Sequence, residues 1–165
     1  MSFESLVAQV GQALMAHNAM VVTAESCTGG MIAEALTSVG GSTAWFDRAY
    51  ITYSYESKKE MLGVKESTIQ TKGAVSRACV EEMALAALQQ SHAKISVACS
   101  GIAGPGGGSN DKPVGTVWIA WAMQGHEAVV TQACLFKGDR QAIREQTTQT
   151  ALLGIITLLE TQAIA

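Results

Sequence analysis

Met20-Val21-Val22-Thr23-Ala24-Glu25-Ser26-Cys27-Thr28-Gly29-Gly30-Met31-Ile32-Ala33-Glu34-Ala35-Leu36 is the stretch whose reading decides the fold. It begins as an apolar, β-branched run and ends with apolar residues at helical spacing, so it reads as strand, tight turn, helix. The first N–H groups of such a helix lack intrahelical partners and carry the positive end of its dipole. The turn is therefore a place for an anion, or for an oxyanion that develops during a reaction. Ser26 and Thr28 supply hydroxyls, Cys27 supplies a thiol, and Gly29 and Gly30 let the backbone approach a ligand closely.

Upstream, Phe3, Leu6, Val7, Val10 and Leu14 mark one face of an opening helix that ends near His17-Asn18. Downstream, Gly40-Gly41-Ser42 breaks the chain, residues 48–54 are rich in strand formers, and residues 55–62 read as a short helix stopped by Gly63. Ser76 is placed to cap a long alanine-rich helix over 77–91, with Val80, Met83, Ala84, Ala87 and Leu88 facing inward. A strand over 95–100 runs into Gly101-Ile102-Ala103-Gly104-Pro105-Gly106-Gly107-Gly108-Ser109, whose five glycines and one proline exclude a regular element. Strands over 114–123 and 127–136 form a hairpin at Gln124-Gly125-His126, and a last helix runs from near Asp139 to about Thr161. This order predicts an α/β fold, a mixed sheet covered by helices on both faces, with ligands collecting beyond strand ends.

At 165 residues, 48% hydrophobic and 15% charged, the chain is expected to form one compact domain over 1–165 that is able to oligomerise. A net charge of −3 gives no basic face for nucleic acid. The longest apolar runs, 117–123 and 151–159, are too short to span a membrane, and no secretory signal opens the chain. The four cysteines (Cys27, Cys79, Cys99, Cys134) form no CxxC pair and the three histidines are scattered, so no zinc site is expected. Buried thiols in a reducing cytoplasm are the default.

Residues 101–108 can present several backbone N–H groups to a phosphate. They lack the Lys-Ser/Thr ending of a P-loop and precede a strand, which argues against a nucleotide triphosphatase. A nucleophile at Ser26 or Cys27 needs a base, and no histidine lies in a segment placed near the turn. Lysine is the remaining option, because burial disfavours the ammonium and lets the neutral amine accept a hydroxyl proton. Lys58 and Lys59, about 100° apart on one helix, cannot both face the site. Sequence alone does not choose between them, nor between Ser26 and Cys27. Tyr53 and Tyr55 can stack on a base or pyridine ring, and Arg140 and Arg144, one helical turn apart, can pair with a phosphate.

Taken together, residues 24–30, Tyr53-Ser54-x-Glu56-x-Lys58, Gly73-Ala74-Val75-Ser76, Gly101-Ile102-Ala103-Gly104-Pro105-x-Gly107-Gly108, Lys112-Pro113-Val114-Gly115-Thr116-Val117 and Gly138-Asp139-Arg140 resemble the CinA C-terminal domain family. Its stand-alone members are nicotinamide-nucleotide amidases. The resemblance implies a cytoplasmic, homo-oligomeric three-layer α/β/α sandwich. It implies hydrolysis of the carboxamide of nicotinamide mononucleotide (NMN) to nicotinate mononucleotide and ammonia, in pyridine-nucleotide salvage, without metal or cofactor. It places a Ser/Lys dyad at Ser26 and Lys58, with backbone N–H groups from Thr28 to Gly30 on the oxyanion. Ser100, Gly101, Gly104 and Gly107, with Arg140 or Arg144, would hold the nucleotide, and Tyr53 and Tyr55 would line the pocket. Relatives tend to have Asn where this chain has Tyr55. Two other readings stand beside it: a pyridine-nucleotide-binding regulatory module without turnover, and a thiol-dependent acyltransferase using Cys27.

Overall fold

The strand β1 (Val21–Glu25) is buried along its whole length, so both of its faces need cover and it lies inside a sheet. In the computed structural model, which describes residues 2–162, that cover comes from six helices and four further strands. Before β1 comes α1 (Phe3–Ala16); after it come α2 (Met31–Thr37), a 3-10 turn (Ser42–Ala44) and β2 (Phe46–Ile51). Three consecutive helices follow: α3 (Tyr55–Leu62), α4 (Glu66–Lys72) and α5 (Arg77–Gln89). β3 (Ile95–Gly101), β4 (Thr116–Met123), β5 (Val130–Leu135) and α6 (Arg140–Gln162) complete the chain.

The sheet order is β2-β1-β3-β4-β5, with β2, β1 and β3 parallel and β4 and β5 antiparallel. Leu6, Val10 and Leu14 of α1, Ile32 and Leu36 of α2, and Ile143, Leu152 and Ile155 of α6 pack with Val21, Val97 and Ile119 on one face. Leu62 of α3 and Cys79, Val80, Met83 and Ala87 of α5 pack with Val22, Ala24, Ala98 and Ala120 on the other. The alternation along β1 thus feeds two cores, which is the predicted mixed sheet between two helical layers. The chain leaves β1 for β2 through α2 and returns past β1 to β3 through α3, α4 and α5. The carboxyl ends of the neighbouring strands β1 and β3 therefore border a topological switch point, where a crevice forms.

Several features differ from the sequence reading. Residues 66–72 form α4, which the pattern did not reveal because Ile69 is its one large apolar residue. β2 starts at Phe46, opposite Val21, and ends at Ile51; Thr52 then gives its N–H to the Glu25 carbonyl at 2.8 Å, and Ser54 caps α3. Phe3 is exposed rather than on the buried face of α1, and β5 begins at Val130, where pairing with Trp121 starts. Among the described residues no helix is long and apolar enough to cross a membrane.

Helix α6 lies close on the sheet because Gly154 has no side chain. A Cβ built there would fall on the Trp121 indole, whose Nε1 donates to the Ala151 carbonyl at 3.0 Å. Alanine favours a helix over glycine by about 1 kcal/mol. At this position overpacking, costing about 1–3 kcal/mol, outweighs that gain. Gly154→Ala is expected to lower the denaturation midpoint; an unchanged or higher midpoint in a denaturant titration would show that the indole has room to move.

Candidate active site

Glu25, at the end of β1, organises the turn that follows. Its fully buried carboxylate accepts from the Thr23 hydroxyl (3.0 Å), the Thr28 hydroxyl (2.7 Å) and the N–H groups of Gly30 (3.2 Å), Ile32 (2.9 Å) and Ala33 (2.9 Å). The N-cap of α2 is Gly30, which offers no side chain, so a carboxylate from the preceding strand does the capping. The helix N-terminus is thus taken by an internal anion and is not open to an oxyanion. The Gly29 N–H is also engaged, donating to the Ser26 carbonyl at 3.0 Å. This corrects the expectation that the N–H groups of Gly29 and Gly30 serve the reaction. At the turn, the Thr28 N–H is without an acceptor among the described residues, and the Cys27 N–H is directed at its own thiol sulfur. Sequence reasoning passed over Glu25; the available signal was an acidic residue ending an apolar strand, which must find several donors if it is buried.

The same turn presents Ser26, whose N–H extends the ladder to the Cys99 carbonyl at 3.2 Å. Opposite it stands Lys58, carried on α3. That helix is started by a reciprocal cap between Ser54 and Ser57 and stopped at Gly63, where φ is 64°. Lys58 is 1% exposed, and its Nζ donates to Ser26 Oγ at 2.8 Å, to the Thr52 carbonyl at 2.7 Å and to the Tyr53 carbonyl at 3.3 Å. Lys59 points the other way and pairs with Glu56 and Glu66. Burial lowers the Lys58 pKa from the ordinary lysine value, with a smaller opposing pull from the Cys79, Cys99 and Cys27 thiols. When the amine is neutral it keeps two N–H donors and gains a lone pair. The two carbonyls can only accept, so they hold the two N–H groups. Ser26 is the one partner of the three able to donate to the lone pair.

A cavity of about 270 Å³ opens at this pair, bordered by Ser26, Cys27, Lys58, Tyr53, Tyr55 and Arg140. The loop after β3 forms its far wall through Ser100, Gly101, Gly104 and Gly107. The N–H groups of Ala103, Gly104, Gly106 and Gly107 have no intrachain acceptor among the described residues. Gly104 has φ 77° and Gly107 φ 89°, a conformation glycine adopts without strain. Arg140 donates to the Gly104 carbonyl at 2.7 Å and to the Tyr53 hydroxyl at 2.9 Å, and among the described residues it has no carboxylate partner. Tyr53 and Tyr55 are 59% and 61% exposed, leaving their rings open at the rim.

Two expected site side chains lie elsewhere. The Thr28 hydroxyl is buried against Glu25 and Cys99, away from the cavity wall. Arg144 does not line the cavity; it donates to the Cys27 and Thr28 carbonyls. Among the described residues no three His, Cys, Asp or Glu side chains gather as metal ligands would.

The family model of the CinA C-terminal domain matches residues 3–159. The chain belongs to this family. A relative from Escherichia coli strain K12 named nicotinamide-nucleotide amidohydrolase PncC is 54% identical over 144 residues, 87% of each chain. One of the same name from Pseudomonas putida is 49% identical over 154 residues, 93% of this chain and 95% of its own. The crystal structure of a competence/damage inducible protein from Agrobacterium tumefaciens, 43% identical, superposes with a TM-score of 0.92, covering 96% of this chain and 99% of its own.

Within this CinA-family site, Cys27 is the weaker nucleophile candidate. A side-chain hydrogen bond with Cys99 and burial push its thiol pKa well above the ordinary value, the opposite of what a helix N-terminus alone would do. Glu25→Gln is expected to cost about 1.5–3 kcal/mol, because one amide cannot replace a carboxylate among five donors. Turnover should fall with it, measured by denaturant unfolding and by product release; a neutral effect on both would show that the carboxylate's charge does not hold the turn.

Proposed function

We propose that this protein is a nicotinamide-nucleotide amidohydrolase, converting NMN and water to nicotinate mononucleotide and ammonia with Ser26 as nucleophile and Lys58 as base. The observation that carries the reading is the 2.8 Å contact between the buried Lys58 amine and Ser26 Oγ at the floor of a cavity. The activity is supported by relatives bearing that name at 49–54% identity over most of the chain, which disfavours a binding module without turnover. The raised Cys27 pKa disfavours the thiol acyltransferase.

In this mechanism, neutral Lys58 accepts the Ser26 proton as Oγ bonds to the carboxamide carbon and the carbonyl becomes an oxyanion. The Cys27 and Thr28 N–H groups stabilise that charge. The Lys58 ammonium returns the proton to the amide nitrogen as the C–N bond breaks and ammonia leaves. Water then attacks the ester on Ser26, giving its proton to Lys58, which passes it to Ser26 Oγ as the acyl–oxygen bond breaks and nicotinate mononucleotide departs. Arg140 and the N–H groups of residues 103–107 hold the phosphate, while Tyr53 and Tyr55 flank the pyridine ring. The dyad needs neither metal nor cofactor. We further propose one domain over 1–165, cytoplasmic and homo-oligomeric. Four free cysteines suit a reducing compartment, and exposed Val130 and Leu135 on the edge strand β5 suit a contact between copies.

Ammonia release from NMN tests the reading. Ser26→Ala is expected to reduce kcat by at least about 10³-fold and Cys27→Ala to spare it; the reverse pattern would overturn the serine assignment. The base must be neutral, so kcat/KM should rise with pH along a limb centred below the ordinary lysine value of about 10.4. Lys58→Met should abolish that limb. A rate that falls as pH rises through it would contradict Lys58 as base.

A further inference from the structure

Arg144 stands outside the cavity and grips the catalytic turn from behind. From the second turn of α6 its half-buried guanidinium donates through Nε to the Cys27 carbonyl at 3.2 Å and through Nη2 to the Thr28 carbonyl at 2.9 Å. Its Nη1 donates to Gln141 Oε1 at 3.3 Å, and among the described residues no carboxylate pairs with it. A rigid fork on two consecutive carbonyl oxygens fixes the planes of two peptides. The peptide between Cys27 and Thr28 is trans, so its C=O and N–H point in opposite directions. Holding the Cys27 oxygen therefore aims the Thr28 N–H to the other side of the turn. That N–H has no acceptor among the described residues, whereas the next one, at Gly29, is given to the Ser26 carbonyl. A cation at the oxygen end also polarises the peptide and strengthens its N–H as a donor.

We infer that Arg144 is a positioning residue for the hydrolysis: it sets the Cys27–Thr28 peptide so that the Thr28 N–H receives the oxyanion formed when Ser26 attacks. The inference rests on the Ser26 mechanism and assigns the two arginines different work, Arg140 on the substrate phosphate and Arg144 on the turn. Arg144 does not line the cavity, so its loss is expected to act on the transition state and to leave substrate binding in place.

The test compares NMN with its thioamide analogue in the full chain carrying Arg144→Lys or Gln141→Ala. Sulfur accepts hydrogen bonds more weakly than oxygen, so a misplaced donor slows the amide more than the thioamide. Arg144→Lys is expected to lower kcat for NMN by about 10–100-fold, to keep KM within about threefold, and to shrink the amide-to-thioamide rate ratio. Gln141→Ala, which frees Nη1 while keeping the cation, is expected to do the same on a smaller scale, and it carries the test if Arg144→Lys does not fold. A KM raised with kcat unchanged would make Arg144 a substrate anion-binder and overturn the inference. So would unchanged rates, or equal losses on amide and thioamide, which would mark general loosening of the turn. Turnover by Ser26→Ala would remove the serine mechanism itself, an outcome separate from any of these.

Discussion

A lysine amine taken out of water must be given partners or lose its proton, and the site is arranged around that constraint. Lys58 has three acceptors: one hydroxyl and two carbonyls of the segment between β2 and α3. The carbonyls cannot donate. Whenever the proton leaves, the lone pair has one partner that can supply a hydrogen, and that partner is the proposed nucleophile. Burial therefore depresses the pKa, while these few contacts aim the proposed base. They also favour serine over the neighbouring cysteine as the proposed nucleophile. Cys27, one residue along, is turned into the core against Cys99, which keeps it a thiol.

The turn that carries Ser26 is held from two sides by charges of opposite sign. Glu25 gathers three N–H groups at the start of α2, and Arg144 gathers two carbonyls from the turn. A cap of this kind consumes the helix N-terminus that the local sequence advertises as an anion site. In the proposed mechanism oxyanion stabilisation then falls to the N–H groups of the turn itself, whose orientation depends on how the carbonyls are held. Satisfaction is thus divided: among the described buried side chains Thr52 Oγ1 lacks a partner, and N–H groups without acceptors lie at the turn and in the glycine loop, where substrate would supply acceptors.

Much of this was legible in the chain. The strand, turn and helix around Ser26 are written in an apolar run and glycines, and Gly63 and Ser76 mark helix ends where the structure has them. The choice between Lys58 and Lys59 was not legible, because both sit on one short polar helix and only the docking of α3 decides which is buried. Arg140 and Arg144 pose the same problem one turn apart. Glu25 was hidden for a different reason: its partners at Gly30, Ile32 and Ala33 come together only after α2 has formed. Helix α4 lacked the apolar periodicity that pattern reading needs, and it owes its place to packing beside α5.

The proposed mechanism stands or falls on the state of one amine. With lysine side chains labelled with 13C at Cε, an NMR pH titration assigns Lys58 by the signal missing from Lys58→Met. A buried base at Lys58 gives a midpoint displaced below the ordinary lysine value of about 10.4, apart from the exposed lysines. A Lys58 signal that titrates together with the exposed lysines would contradict it.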